Sequence, residues 1–414
     1  MKKVLALILA LVLTLGATSA LADLVIVQNK VEIDAALQEY AKLYTEKTGV
    51  PVKVISGGGS SDYNTVLKNE MAQDRQPDIF VFEGPSGYEM WKDRIVDMTG
   101  ADWTANTTMA YMDGEKVVGF PVAIEGYGLA YNKEILDKAG IDPATLTTVD
   151  AYKAAFEKLD SMKAELGLDM VVSMVAGTSQ NMTWVTGLHN FNVYLTVGLD
   201  RDDTSIIDKV LAGEVDEERF HDYCEYVALI FQYSDPDMLL NGTQDSQLAA
   251  FANGKAAFYH QGNWMDPSLV VLNPTFEIGY APHAFLHTET DGILVNPPSW
   301  YAVNANGNVD EAIAYLNALA GTEEGADYMV NKAGMVPAFT NVTLLPAGPL
   351  SVSLMKWNAA GKTYSWQQYK LPDGFGMGEL GKIYELLASG QIDEPTFEQM
   401  MKDKIAEIPT KYAK

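Results

Sequence analysis

From residue 24 to residue 82 the chain repeats one order, a short apolar run followed by an amphipathic stretch, and that alternation limits the sheet it can build. Leu24 to Val27 has the length of a buried strand, and Ile33, Leu37, Tyr40, Ala41 and Tyr44 follow at helical spacing up to Gly49. Val52, Val54 and Ile55 read as a second strand leading into Gly57-Gly58-Gly59-Ser60-Ser61. Tyr63, Val66, Leu67, Glu70 and Met71 then outline a second helix, broken by Pro77 before the strand Ile79-Phe80-Val81-Phe82. Strands separated by helices in this way predict a parallel or mostly parallel sheet with covering helices.

Downstream, Leu129 to Tyr131 reads as strand, Lys133 to Ala139 and about Ala151 to Leu166 as helices, and Met170 to Met174 as strand. The pattern is then mainly helical to about Asn253, and Ala256 to Tyr259 is again strand. Late helices are expected at Val309 to Ala320, Glu323 to Asn331, Glu379 to Ala388 and Glu394 to Ile408. No Gly/Ser linker divides the 414 residues, although the length suggests two domains. Two α/β lobes joined by several crossovers, a hinged clamp with a cleft between, is the expected architecture. Ligands of open α/β sheets sit beyond the carboxyl ends of strands, so facing lobes would enclose the site.

The N-terminus carries Lys2 and Lys3, an apolar run from Val4 to Leu15, and Ala20-Leu21-Ala22 before Asp23, the pattern of a signal peptide cleaved after Ala22. A periplasmic or extracellular location is expected. The one cysteine, Cys224, is far from that site, so neither a lipid anchor nor an internal disulfide is expected and stability must come from the cores. Net charge is -26, and -28 without Lys2 and Lys3. That field repels nucleic acid and anionic membranes, so nucleic acid is not an expected partner.

Several segments together resemble the extracellular solute-binding family that serves ABC sugar importers, including maltodextrin-type receptors. They are Gly119-Phe120-Pro121-Val122-Ala123-Ile124-Glu125 through Tyr131-Asn132-Lys133, then Ala139-Gly140-Ile141-Asp142-Pro143, and Gly254-Lys255-Ala256-Ala257 ending in Gly262-Asn263-Trp264. Ser299-Trp300-Tyr301-Ala302-Val303 and Gly334-Met335-Val336-Pro337-Ala338 follow in the same order. The resemblance implies a two-lobed periplasmic-binding-protein fold that captures a carbohydrate by lobe closure and delivers it, unaltered, to an ABC permease. It implies residues 23–124 with 298–333 in the N-terminal lobe, and 125–297 with 334–414 in the C-terminal lobe. A monomer is expected, with no cofactor, no metal and no enzymatic activity.

A sugar site mixes aromatic faces, which stack on C–H rings, with carboxylates, which take charge-assisted hydrogen bonds from hydroxyls. Trp264 is the leading candidate, since it stands in a polar loop, between Gly262-Asn263 and Asp266-Pro267, rather than in a periodic apolar stripe. Glu125 sits in the matched crossover and Glu83 follows the third strand; a structural ion pair is the competing role for either. Ser60 and Asp62 stand before a helix, where binding a ligand and capping the helix are equal readings. Asn29, Asn181, Trp300 and Trp366 complete the candidates, the two tryptophans being as well explained by core packing.

A secreted glycoside hydrolase is the enzyme alternative, because carboxylates and aromatics build its site too. No Gly-x-Ser-x-Gly or His-Glu-x-x-His motif is present, and His221 with Cys224 makes at most half of a metal site. A polyamine receptor is the binding alternative, since acids and aromatics also suit a cation.

Overall fold

The computed structural model describes residues 23–58 and 62–412; the expected leader with its cleavage site and Ser60 lie outside them. In chain order the strands are β1 (Leu24–Gln28), β2 (Val52–Ser56), β3 (Ile79–Phe82), β4 (Tyr111–Asp113), β5 (Lys116–Pro121) and β6 (Glu125–Asn132). They continue with β7 (Met170–Ser173), β8 (Ala256–Gly262), β9 (Ile278–Ala281), β10 (Ile293–Asn296), β11 (Trp300–Val303) and β12 (Thr363–Tyr364). Two sheets result. One has the order β2-β1-β3-β11-β5-β4, the other β12-β10-β6-β8-β7 with β9 also on β6.

β1 pairs in parallel with both β2 and β3, as the strand–helix alternation predicts. The rest of that sheet is antiparallel. The difference follows from the connections: β4 and β5 are separated only by Gly114 and Glu115, and so short a turn joins antiparallel strands alone. Continuous apolar runs in β1 and β3 are explained by burial on both faces. Ile26, Ile79 and Val81 enter one core with Tyr40, Trp103, Phe120 and Tyr315, while Val27, Phe80 and Phe82 enter another with Leu67 and Trp300. The second sheet has its own core, including Tyr127, Phe156, Tyr223 and Phe258.

Helix ends depart from the sequence expectations in small ways. The helix Tyr63–Met71 ends well before Pro77, and the long helix expected over 151–166 is divided at Met162 into Val149–Ser161 and Lys163–Leu166. The helix expected over 323–331 becomes Glu323–Asp327 plus a π-helical Tyr328–Lys332. The helix Pro349–Ala359 carries no clean amphipathic stripe and escapes a periodicity reading, and the short helix Gly84–Trp91, which opens on Gly84-Pro85, is not among the expected helices either. Among the described residues no helix is long and apolar enough to cross a membrane.

The chain passes between the sheets at 122–124, at 297–299 and again after residue 333, where it leads to the helix Pro349–Ala359 lying across β6 and β9. These crossings are tied together. Ile124 N donates to Val336 O at 2.8 Å and Val122 N to Ser299 O at 3.2 Å.

Candidate ligand-binding site

The strand ends of both sheets meet at one cavity of about 170 Å³. From the first sheet's side come Asn29 and Lys30 after β1, Asp62 at the start of a helix, and Glu83 after β3. The other side supplies Glu125 at the start of β6, Asn181, Trp184 and His189, then Trp264 after β8, and Trp366 with Tyr369. A larger cavity of about 910 Å³ exists near Tyr131, Phe276 and Trp357, but only the second sheet's side lines it. A two-lobed clamp needs contacts from both halves, which the smaller cavity has.

One wall is aromatic. The Trp264 ring meets Trp366 edge-on at 6.3 Å between centroids and 90°, and Trp184 at 6.2 Å and 62°. His189 lies 5.0 Å from Trp264 and stacks on Tyr127 at 4.7 Å. The Trp264 orientation is set by a buried amide relay: its Nε1 donates to Gln261 Oε1 at 3.0 Å, and Gln261 Nε2 donates to Gln247 Oε1 at 3.0 Å. Gln247 is held in turn by Ser173 O and His260 O. The ring also folds over Gly262, where an added Cβ would stand 2.0 Å from Trp264 Cζ3. Only glycine permits that approach, which explains the Gly-x-Trp spacing. His189 is buried, and burial first, then His260 and Lys30, holds its pKa well below the ordinary value. It is therefore neutral, with one ring nitrogen donating and one accepting.

The opposite wall is charged. Lys30 Nζ donates to Glu125 and lies 3.8 Å from Glu32, while Asn29 Nδ2 donates to Glu83 Oε1 at 2.8 Å. Burial pushes Glu32 up to about 7, an effect that Lys30 partly opposes and Glu125 reinforces. Glu83 is likewise pushed up to about 7, by burial first, with Lys30 opposing and Glu125 adding. For Lys30, burial alone would lower the pKa, but Glu125, Glu32 and Glu83 outweigh it and the net shift is upward. Near neutrality Glu32 and Glu83 thus carry a proton part of the time, so each can both donate and accept. Hydroxyl groups, which do the same, are the natural complement.

Of the residues singled out from sequence, Trp264, Glu125, Glu83, Asn29, Asp62, Asn181 and Trp366 line this cavity together. Asp62 also caps its helix, accepting from Asn64 N at 3.0 Å and Thr65 Oγ1 at 2.6 Å, so both of its readings stand. Asn181 adopts φ 54°, the left-handed region that asparagine tolerates better than most residues. Asn29 Oδ1 and Trp366 Nε1 are buried at the cavity without a protein partner, so a hydroxyl-bearing ligand there could pair with them. Trp300 does not join them. It stacks on Phe82 at 5.9 Å and 22° within a core, and its Nε1 donates to Met109 O at 2.8 Å.

Lys30, Glu32, Trp184, His189 and Tyr369 escaped the sequence reading. Lys30 and Glu32 follow Asn29 immediately, and the same strand-end logic reaches them. His189 lies in a π-helical turn, Val185–Asn190, a distortion that often marks functional sites but has no simple sequence signature.

A family profile described as bacterial extracellular solute-binding protein matches residues 39–380. An uncharacterized ABC transporter extracellular-binding protein of Pyrococcus horikoshii is 27% identical over 253 residues, covering 57% of this chain and 53% of that protein. The melibiose/raffinose/stachyose-binding protein MelE of Bacillus subtilis is 26% identical over 247 residues, covering 57% and 54%. This chain therefore matches about half the length of these curated relatives. Among solved structures, a sugar transporter of Bacillus licheniformis in complex with stachyose superposes with a TM-score of 0.74 at 17% identity, over 93% of this chain and 100% of that one. That likeness establishes the two-lobed α/β fold.

Proposed function

The chain belongs to the bacterial extracellular solute-binding family, and from that premise we propose that it captures an oligosaccharide between its lobes and delivers it to an ABC permease. The observation that carries this reading is the pairing of an aromatic wall with an acid cluster in one cavity to which both sheets contribute. Sugar rings stack on Trp264, Trp184 and Trp366, while Glu83, Glu125, Asn29 and neutral His189 exchange hydrogen bonds with hydroxyls. Relatives that bind raffinose-type sugars suggest which compounds to try first. The family works outside the cytoplasm, and we place leader cleavage after Ala22 and the lobe division at 124/125, 297/298 and 333/334.

Closure follows from geometry. A ligand that touches both lobes makes all its contacts only when they approach, so it stabilises the closed form by that difference in affinity. Reversible capture needs no bond to break. Calorimetric titration with raffinose, stachyose and monosaccharides, with spermidine as control, tests the reading. Saturable heat from a sugar recovered intact supports it; heat from spermidine alone, or a cleaved glycan, overturns it.

Trp264→Ala is expected to weaken sugar binding by more than tenfold, about 1.4 kcal/mol, with an unchanged circular dichroism spectrum. Gly262→Ala should lower affinity at least as much, because the new methyl displaces the same ring. Wild-type affinity in both variants would remove the tryptophan from the site.

A further inference from the structure

Away from the cavity, the helices Glu217–Gln232 and Glu394–Ala406 pack side by side and bring a nitrogen donor against two carboxylates. His221 comes from the first helix; Glu394 and Glu398, four residues apart, come from the second and share one face of it. Ligand atoms of the three lie within 4.8 Å of one another. His221 Nδ1 is 2.8 Å from Glu398 Oε2. A helix-to-helix ion pair would account for those two residues, but it leaves Glu394 unexplained. Its Oε1 is buried and has no protein partner, a costly arrangement for a carboxylate unless something else binds it.

The same helix carries a second trio. Asp222 and Glu225 stand with His287, again with ligand atoms within 4.8 Å. Glu225 lies 3.8 Å from the Nε2 of both His221 and His287, so it bridges the two groups. The chain has five histidines, and His189, His260 and His283 are buried. Both of the exposed ones are in this patch, each against a carboxylate. The nearest fixed cation is Lys402, 2.7 Å from Glu398 and 2.5 Å from Glu217, and it leaves Glu394 and Glu225 unmatched.

We propose that His221, Glu394 and Glu398 form a binding site for a divalent transition-metal ion of the zinc class. One imidazole and two carboxylates match the donor set and open coordination that zinc accepts, whereas calcium and magnesium favour oxygen-only cages. None of these residues lines the sugar cavity, so the ion would clamp the helix Glu394–Ala406 to Glu217–Gln232 without touching ligand capture.

The test is calorimetric titration of chelator-treated full-length protein with zinc chloride and, separately, with calcium chloride. Saturable zinc binding is expected, with calcium at least tenfold weaker, and zinc should raise the melting temperature. Glu394→Gln and His221→Ala should each weaken zinc binding at least tenfold while sugar affinity stays at its wild-type value. Glu394→Gln discriminates best, since Glu394 takes no part in the His221–Glu398 pair. Absence of zinc binding, equal affinity for calcium, or wild-type zinc affinity in Glu394→Gln would overturn the site.

Discussion

Changing Asp266 to alanine is expected to destabilise the protein by about 3 kcal/mol, among the largest effects of any single substitution outside the aromatic cores. Asp266 is fully buried immediately after the Trp264 loop. Its carboxylate accepts from Leu350 N at 3.0 Å and Ser351 N at 2.7 Å, two of the amides that the helix Pro349–Ala359 cannot satisfy within itself. The approach is close enough that a Cβ on Gly348 would fall 2.2 Å from Asp266 Cγ. Alanine removes the acceptor and leaves both amides buried and unpaired, at about 1–3 kcal/mol each. The Asn263 side chain links the same helix to β6, accepting from Gly126 N at 2.9 Å and donating to Ser351 Oγ at 3.2 Å. Asp266→Asn keeps an acceptor for one of the two amides but sets its Nδ2 donor against the other, while losing the charge of a carboxyl that burial has pushed up to about 6 relieves desolvation. The asparagine variant should therefore lose about 1–2 kcal/mol, less than the alanine variant because one of the two amides keeps its acceptor. Urea unfolding of the two variants measures this, and an alanine variant within 1 kcal/mol of wild type would show that the helix is anchored elsewhere.

The second large effect is the pH dependence that the acid cluster imposes. Glu32 and Glu83 have folded pKa values raised to about 7, above the ordinary glutamate value, so between these limits the folded state holds more protons than the unfolded. Stability from these groups is full at low pH and is lost as pH rises through about 7. Three buried histidines act in the opposite sense. His260 is lowered to about 4 and His189 and His283 well below their usual value, all by burial first, so they cost stability as pH falls below the unfolded histidine range. The two sets offset each other in mild acid, and wild-type stability should peak near neutrality. Comparing wild type with the double variant Glu32→Gln, Glu83→Gln cancels the histidines. The stability difference between the two proteins should shift by about 4 kcal/mol between pH 5 and pH 8, wild type losing ground as pH rises. A difference that is flat across that range would mean that neither glutamate is desolvated in the folded protein.

The candidate site was legible where a residue's place followed from its own element. Glu83 comes directly after an apolar strand and Trp264 after a strand ending in Gly262, so strand-end reasoning reached both. The polar loop around Trp264 set it ahead of Trp300, but strand-end reasoning could not decide where Trp300 points. Trp300 opens β11 and Trp264 follows β8, both are more than nine-tenths buried, and only the sheet order reveals that the first faces Phe82 and the second a cavity. The competing roles for Glu125 also needed three dimensions. Its partner Lys30 is 95 residues away in the chain, and it arrives because β1 and β6 belong to different sheets that meet at their ends.

Local order in the chain thus determined the α/β class, the parallel β1–β3 core and the positions of the first helices, because apolar periodicity reports which face of an element is buried. Resemblance across ordered segments pointed to the family. What only the folded molecule decided was the mixed character of both sheets, the hydrogen bonds that tie the crossings together, the amide relay that orients Trp264, and the lysine inside the acid cluster. Each depends on contacts between residues remote in sequence, and such contacts are selected by packing and desolvation rather than by neighbours along the chain.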